Sequence, residues 1–202
     1  MLPRPCLFLT ALVLASSSAA AAGDEWLTYS YIQASASKVD VDGFDDEADQ
    51  YGLRAAFELP LNFYIVGDYA SSTLDLPGQD RETDFYAIGA GYHLPLGPVD
   101  VLGELQWVYN SADFPAGDED ESGVQGYLGG RWMVFDLGAR TGIELFGGVR
   151  GTEVDHQITF DDSLFSTDLG ARVHFLGFAS AAATYSILED DDAITLDLRA
   201  SF

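Results

Sequence analysis

Apolar residues recur at every second position through most of this chain, and no stretch carries them at the 3.6-residue period of a helix. Successive side chains of a strand point to opposite faces, so the pattern predicts an all-β fold of strands with two unlike sides. In QYGLRAAFEL, Tyr51, Leu53, Ala55, Phe57 and Leu59 share one side, and Gly52, Arg54, Ala56 and Glu58 the other. NFYIVGDYAS sets Phe63, Ile65, Gly67 and Tyr69 against Tyr64, Val66 and Asp68, with only Pro60 and Leu61 in between as a tight turn. The pattern runs on through TDFYAIGAGYHL, VDVLGELQWVY, GVQGYLGGRWMV, ARTGIELFGGVRG, FSTDLGARVHF, the Ala-rich ASAAATYSI and the closing ITLDLRASF. With an opening strand near EWLTYSYIQAS the count is ten; it falls to eight if the Ala-rich or the opening stretch is not a strand. In the opening strand, Trp26, Thr28, Ser30 and Ile32 compete with Leu27, Tyr29 and Tyr31 for the outer side, and alternation does not choose between them.

The N-terminus reads differently. MLPRP supplies a charged start at Arg4, CLFLTALVLA an apolar run and SSSAAAAAG a small-residue tail, the signature of a secretory signal peptide over residues 1–22. The expected mature chain, residues 23–202, is one domain without cysteine, which excludes disulfides, thiolate metal ligation and cysteine catalysis. The whole chain has 33 Asp and Glu against 9 Lys and Arg, one of which leaves with the signal. So acidic a surface has no basis for binding nucleic acid through its phosphates.

What lies between the strands is as telling as the strands. Long acidic connections (KVDVDGFDDEAD, LDLPGQDRE, SADFPAGDEDES, EVDHQITFDDS, EDDDA) alternate with short ones (PL, PLGP, the FDLG region, LG). Long loops on one rim, tight turns on the other and an even number of strands of about 9–11 residues describe a transmembrane antiparallel up-and-down β-barrel. A ten-stranded barrel of this kind starts and ends on the short-turn rim. Phe202 then falls on the lipid-facing side of that rim, with Phe57, Phe63, Tyr92, Trp132 and Phe175, while Tyr51, Tyr69, Tyr86, Trp107, Tyr109 and Tyr185 fall toward the other rim. These are two aromatic girdles at the two membrane interfaces.

The signal peptide, the ten amphipathic strands and the terminal Phe202 together resemble the small outer-membrane β-barrel superfamily of Gram-negative bacteria, which includes OmpA- and OmpX-like barrels. YSYIQAS, VDVDG followed by DQYGLRAAFEL, and FYAIGAGYHL resemble more narrowly a family of small proteobacterial barrels. The resemblance covers the whole mature chain. It implies residence in the outer membrane among lipid and lipopolysaccharide, recognition of Phe202 as an assembly signal by the barrel assembly machinery, and no cofactor.

Parity also fixes what faces the lumen. Arg54, Arg131, Arg150, Arg172 and Arg199 all have inward parity, Arg140 shares it near a turn, and Glu58, Asp68, Glu104, Glu144, Asp168 and Asp197 answer them. Folding about Leu61 puts Arg54 opposite Asp68, and folding about Asp136–Gly138 puts Arg131 opposite Glu144, close enough for charge-assisted pairs. Tyr64, Phe85, Tyr127 and Phe146 point inward as well. A barrel of about eight strands is just filled by its own side chains and ten add little room, so the expectation is a lumen largely plugged by Arg–carboxylate pairs.

The acidic loops offer a second reading, an adhesin or receptor working through them. Asp40, Asp42, Asp45 and Asp46 are hard oxygen donors near a glycine turn, but they lack the distal Glu of a calcium loop. A rim enzyme, protease or lipid-modifying, is the third. Its only material is His156 with Asp155 and Asp161, in which no Ser-His-Asp constellation is readable, and the expectation is a monomeric, non-enzymatic barrel of structural or small-porin-like type.

Overall fold

The computed structural model describes residues 29–40, 47–76, 79–112, 119–137, 141–154, 163–175, 177–188 and 191–202. The signal segment 1–22, and Trp26, Leu27 and Thr28, lie outside the described residues. Ten strands follow in order: β1 (Tyr31–Asp40), β2 (Glu47–Glu58), β3 (Phe63–Leu76), β4 (Gln79–Leu96), β5 (Val99–Ala112), β6 (Glu119–Asp136), β7 (Gly142–Val154), β8 (Ser163–Phe175), β9 (Ala179–Leu188) and β10 (Asp191–Ser201). Each pairs antiparallel with the next, and β1 pairs with β10, so the sheet closes as an up-and-down barrel. The Ala-rich segment is β9, paired on both edges, which removes the eight-strand alternative.

Alternation is most regular where the barrel closes: every second residue of β1 is buried, and β10 repeats the pattern from Ala193 to Arg199. The tie in the opening strand is resolved with Tyr29 and Tyr31 inside and Ile32 outside. A tyrosine can accept that position because its hydroxyl finds polar partners in the lumen. The outer wall carries Leu53, Ile65, Ile88, Leu105, Leu128, Leu169 and Leu198, each at least half exposed. Such a continuous apolar band has no place in water and fits a hydrocarbon layer. Toward the long-connection rim the rings of Tyr69, Tyr86, Tyr109 and Trp107 follow one another at 5.1, 6.3 and 6.4 Å. Toward the short-turn rim Phe63 meets Tyr92 edge-on at 5.0 Å, and Phe135 and Phe178 join the expected aromatic residues there.

Two expectations need correction. Strands of about 9–11 residues suffice to cross a membrane, but β3 and β5 have 14 residues and β4 and β6 have 18. The excess lies on the long-connection rim, where parts of the acidic connections, Glu82 and Asp120 among them, are strand with outward, exposed side chains. The ladder continues because antiparallel pairing satisfies the backbone while the carboxylates remain in water. The second correction is to the β6–β7 hairpin. Arg131 lies opposite Phe146 and Met133 opposite Glu144, with the register shifting between Met133 and Phe135. The hairpin closes farther along the chain than Asp136–Gly138, with the Leu137 N–H on the Thr141 carbonyl, and the bulge takes back only one residue, so Arg131 and Glu144 are diagonal rather than directly opposed.

The β2–β3 turn is sharper. Leu61 and Asn62 both have φ near +65° (66° and 64°), and the Leu59 N–H donates to the Phe63 carbonyl at 2.7 Å. Two successive left-handed residues match the twist of a tight hairpin. This fixes the register that sets Arg54 opposite Asp68.

Candidate functional site

The inner wall is where polarity collects. Arg54, Arg131, Arg150, Arg172 and Arg199 are all buried, as are Asp68, Asp100, Glu104, Glu144, Asp168 and Asp197, while Glu58 is half-buried at the short-turn rim. A charge withdrawn this far from water is tolerated only when paired and hydrogen-bonded. The first cluster is built on Arg54. Its Nη1 donates to both Asp68 oxygens at 3.2 and 3.3 Å, its Nη2 to Glu104 at 2.5 and 2.6 Å, and its Nε to the Tyr31 hydroxyl at 2.9 Å. Asp68 is the cross-strand neighbour, but Glu104 lies on β5, with β3 and β4 between. That reach needs small residues on the strands it passes. A Cβ on Gly91 would run into the ring of Tyr64, whose hydroxyl donates to Glu104 at 2.8 Å. The cluster continues toward the long-connection rim, where Gln106 donates to Asp68 at 2.5 Å, Gln125 to Gln106 at 2.7 Å and Thr152 to Gln125 at 3.2 Å.

A second cluster is centred on a carboxylate. Glu144 accepts from Arg131 through both oxygens, the Nε contact at 2.8 Å, lies 2.8 Å from His174 Nε2, and faces Arg172 at 3.8 Å. Arg172, wholly buried, then passes over Ala182 of β9 to reach Asp197 on β10 at 3.2 Å. Arg150 lies 3.6 Å from Asp168, which accepts from Ser186 at 2.7 Å. Arg199 donates to Gln33 at 2.9 Å through Nε and sits 3.9 Å above the ring of Tyr31, an attractive placement for a cation. Arg54, Asp68, Glu104, Arg131, Glu144, Arg150, Asp168, Arg172, Asp197 and Arg199 thus stand in three linked groups across the lumen.

Sequence reasoning missed the feature at the short-turn rim. Tyr29, two residues before β1, is fully buried and donates its hydroxyl to Asp100 on β5 at 2.9 Å. Its ring stacks on Tyr64 at 4.7 Å and on His93 at 3.9 Å, and its N–H donates to Glu58 at 3.1 Å. His93 Nδ1 is itself 3.3 Å from Asp100. The N-terminal approach to the barrel therefore lays an aromatic ring across the mouth, from β1 to the facing wall. Asp100 shares the parity of Glu104, a signal that could have found it. Tyr29 was hidden in the unresolved choice of face.

Of the other candidates, Asp42, Asp45, Asp46, Arg140, Asp155, His156 and Asp161 lie outside the described residues. Asp40 ends β1, exposed and directly opposite Asp192. Among the described residues no group of three or more His, Cys, Asp or Glu is arranged to hold a metal ion. The Phe202 N–H donates to the Ser30 carbonyl at 3.0 Å, which ties the terminal residue into the closing seam while its ring stays outside.

No family model matches the chain, and no curated protein does. Among solved structures, the β domain of the Bordetella autotransporter BrkA matches with a TM-score of 0.55 at 13% identity, over 85% of this chain and 98% of that one. The transport unit of the autotransporter AIDA-I from Escherichia coli matches with a TM-score of 0.51 at 11% identity, over 98% of this chain and 94% of that one. Neisserial surface protein A is 15% identical over 87% of this chain and 98% of that one, with a TM-score of 0.45. At such identities the likeness is one of fold.

Proposed function

We propose that this outer-membrane β-barrel keeps its lumen closed, and that it serves as a structural or small-porin-like wall element rather than as an open solute channel. The observation that carries the reading is the pairing of the lumen arginines across strands, above all the Arg54 and Glu144 clusters with Tyr29 beneath them. A transport unit, as the AIDA-I domain is named, would have to evict these groups to pass anything through such a lumen. The reading is non-enzymatic: both described histidines are held by lumen carboxylates, His93 by Asp100 and His174 by Glu144.

Single-channel conductance of the refolded mature chain in a planar bilayer tests it. The native protein is expected to be silent, and Arg131→Ala combined with Tyr29→Ala to show openings. Steady openings in the native protein would overturn the closed-lumen reading.

A second reading, an interaction protein acting through its acidic rim, is favoured by one observation: the 18-residue β4 and β6 carry carboxylates such as Glu82 and Asp120 beyond the aromatic girdle. Neutralising Asp45 and Asp46 would abolish attachment of the surface-expressed barrel to its partner cells on that reading, and would leave conductance untouched.

A further inference from the structure

The outer wall is not uniformly filled. Bulky outward residues cover most strands, but β1 presents Ala34 and Ala36, which lie opposite Leu53 and Tyr51 of β2 and opposite Leu198 and Leu196 of β10. A groove of about 580 Å³ results on the lipid-facing side near the long-connection rim, floored by Ala36 and walled by Tyr51, Tyr185, Ile194 and Leu196. At its upper end it meets Lys38, Asp40, Asp49 and Asp192.

The charges there are unbalanced. Lys38 lies 3.7 Å from Asp49, both side chains more than half exposed. Asp40 and Asp192 are direct partners across the β1–β10 ladder and both outward, an arrangement of like charges that costs stability unless a cation comes between them. Asp192 and Tyr185 both line the groove.

An apolar trough in the wall of a membrane barrel is filled by an acyl chain, because neither water nor a soluble partner reaches it at that depth. The head of that lipid must suit one ammonium among three carboxylates. A plain anionic phosphate would be repelled on balance. A phosphate capped by an ethanolamine-type ammonium matches: its phosphate has Lys38, and its ammonium the facing Asp40 and Asp192. From this complementarity we infer that the groove over β1 is a binding site for a phosphoethanolamine-bearing lipid.

Native mass spectrometry of the intact refolded barrel tests the assignment, with phosphatidylethanolamine and phosphatidylglycerol of equal chain length offered together. One phosphatidylethanolamine is expected to be retained, at least several-fold in preference to phosphatidylglycerol. Ala36→Trp, which fills the trough, should abolish retention, and Asp40→Asn with Asp192→Asn should remove the preference while leaving chain binding. Heat-dependent gel mobility verifies that each variant is folded. Equal retention of the two lipids by the native chain, or undiminished retention in Ala36→Trp, would overturn the site. Preferential retention of phosphatidylglycerol that requires Mg²⁺ would overturn the ammonium assignment.

Discussion

The two arcs of the lumen wall are built on opposite plans. From β3 to β7 the inward face carries large residues, Tyr64, Phe85, Tyr127, Arg131, Phe146 and Arg150, set among small ones such as Ala70, Ala87, Gly91 and Gly129. On β9 every buried inward residue is small, namely Ser180, Ala182, Thr184 and Ser186, and β1 sets Ser35 and Ser37 beside the larger Tyr31 and Gln33. A closed tube of limited bore cannot hold large side chains all round. One arc therefore supplies the bulk and the other supplies room and hydroxyl groups. Charged groups meet across strands they do not belong to because a glycine or alanine lies under them, as Ala182 does under the Arg172–Asp197 pair.

The largest effect is expected at Glu144, the carboxylate on which Arg131, Arg172 and His174 converge. Glu144→Ala leaves buried cations without their counter-ion and is expected to cost about 3–5 kcal/mol, read from the urea midpoint of the refolded barrel. Next comes overfilling of the crowded arc. A Cβ on Gly129 would meet the Tyr127 ring at 2.6 Å, since that ring lies over Gly129 and its cross-strand partner Gly148, with the Arg150 guanidinium 5.5 Å above it. Gly129→Ala should destabilise by about 1–3 kcal/mol, with loss of the native near-ultraviolet dichroism of the packed tyrosines. On the spacious arc the effects shrink. Ser186→Ala removes one donor from Asp168 and should cost about 1 kcal/mol in the same titration. Thr184, whose hydroxyl has no hydrogen-bond partner among the described residues, can become Val with a change within about 0.5 kcal/mol. A large loss in Thr184→Val would show that the small residues are as tightly specified as the large ones.

Much of this was legible in the chain. Parity alone placed five arginines inside, because a strand has only two faces and one must meet lipid. The Arg54–Asp68 pairing was legible because folding about Leu61 leaves a single register, although the turn takes three residues, Pro60–Asn62, where two were read. Other relations were not. Arg54 reaches Glu104 across two intervening strands, which depends on barrel curvature and on a gap at Gly91, neither of which is written in alternation. Arg131 and Glu144 were named together, but their diagonal placement comes from a hairpin that closes between Leu137 and Thr141, past the turn that the FDLG stretch offered, with a one-residue bulge that alternation does not announce. Tyr29 escaped because both faces of the opening strand mix aromatic and aliphatic residues, and the hydroxyl partner that decides the matter, Asp100, lies 71 residues away in the chain.

The seam between β1 and β10 governs how this molecule comes into being. Arg199 and Gln33 are 166 residues apart, Ser37 and Thr195 are 158 apart, and Phe202 is bonded to Ser30. None of these contacts exists in an incomplete chain, and without them β1 and β10 are open edges whose backbone groups lipid cannot satisfy. The high sequence separation makes folding slow and all-or-none, with Tyr29 able to settle over the mouth only once both ends of the sheet have met. Every strand thus waits on β10, and no part of the wall is stable before that strand has been made.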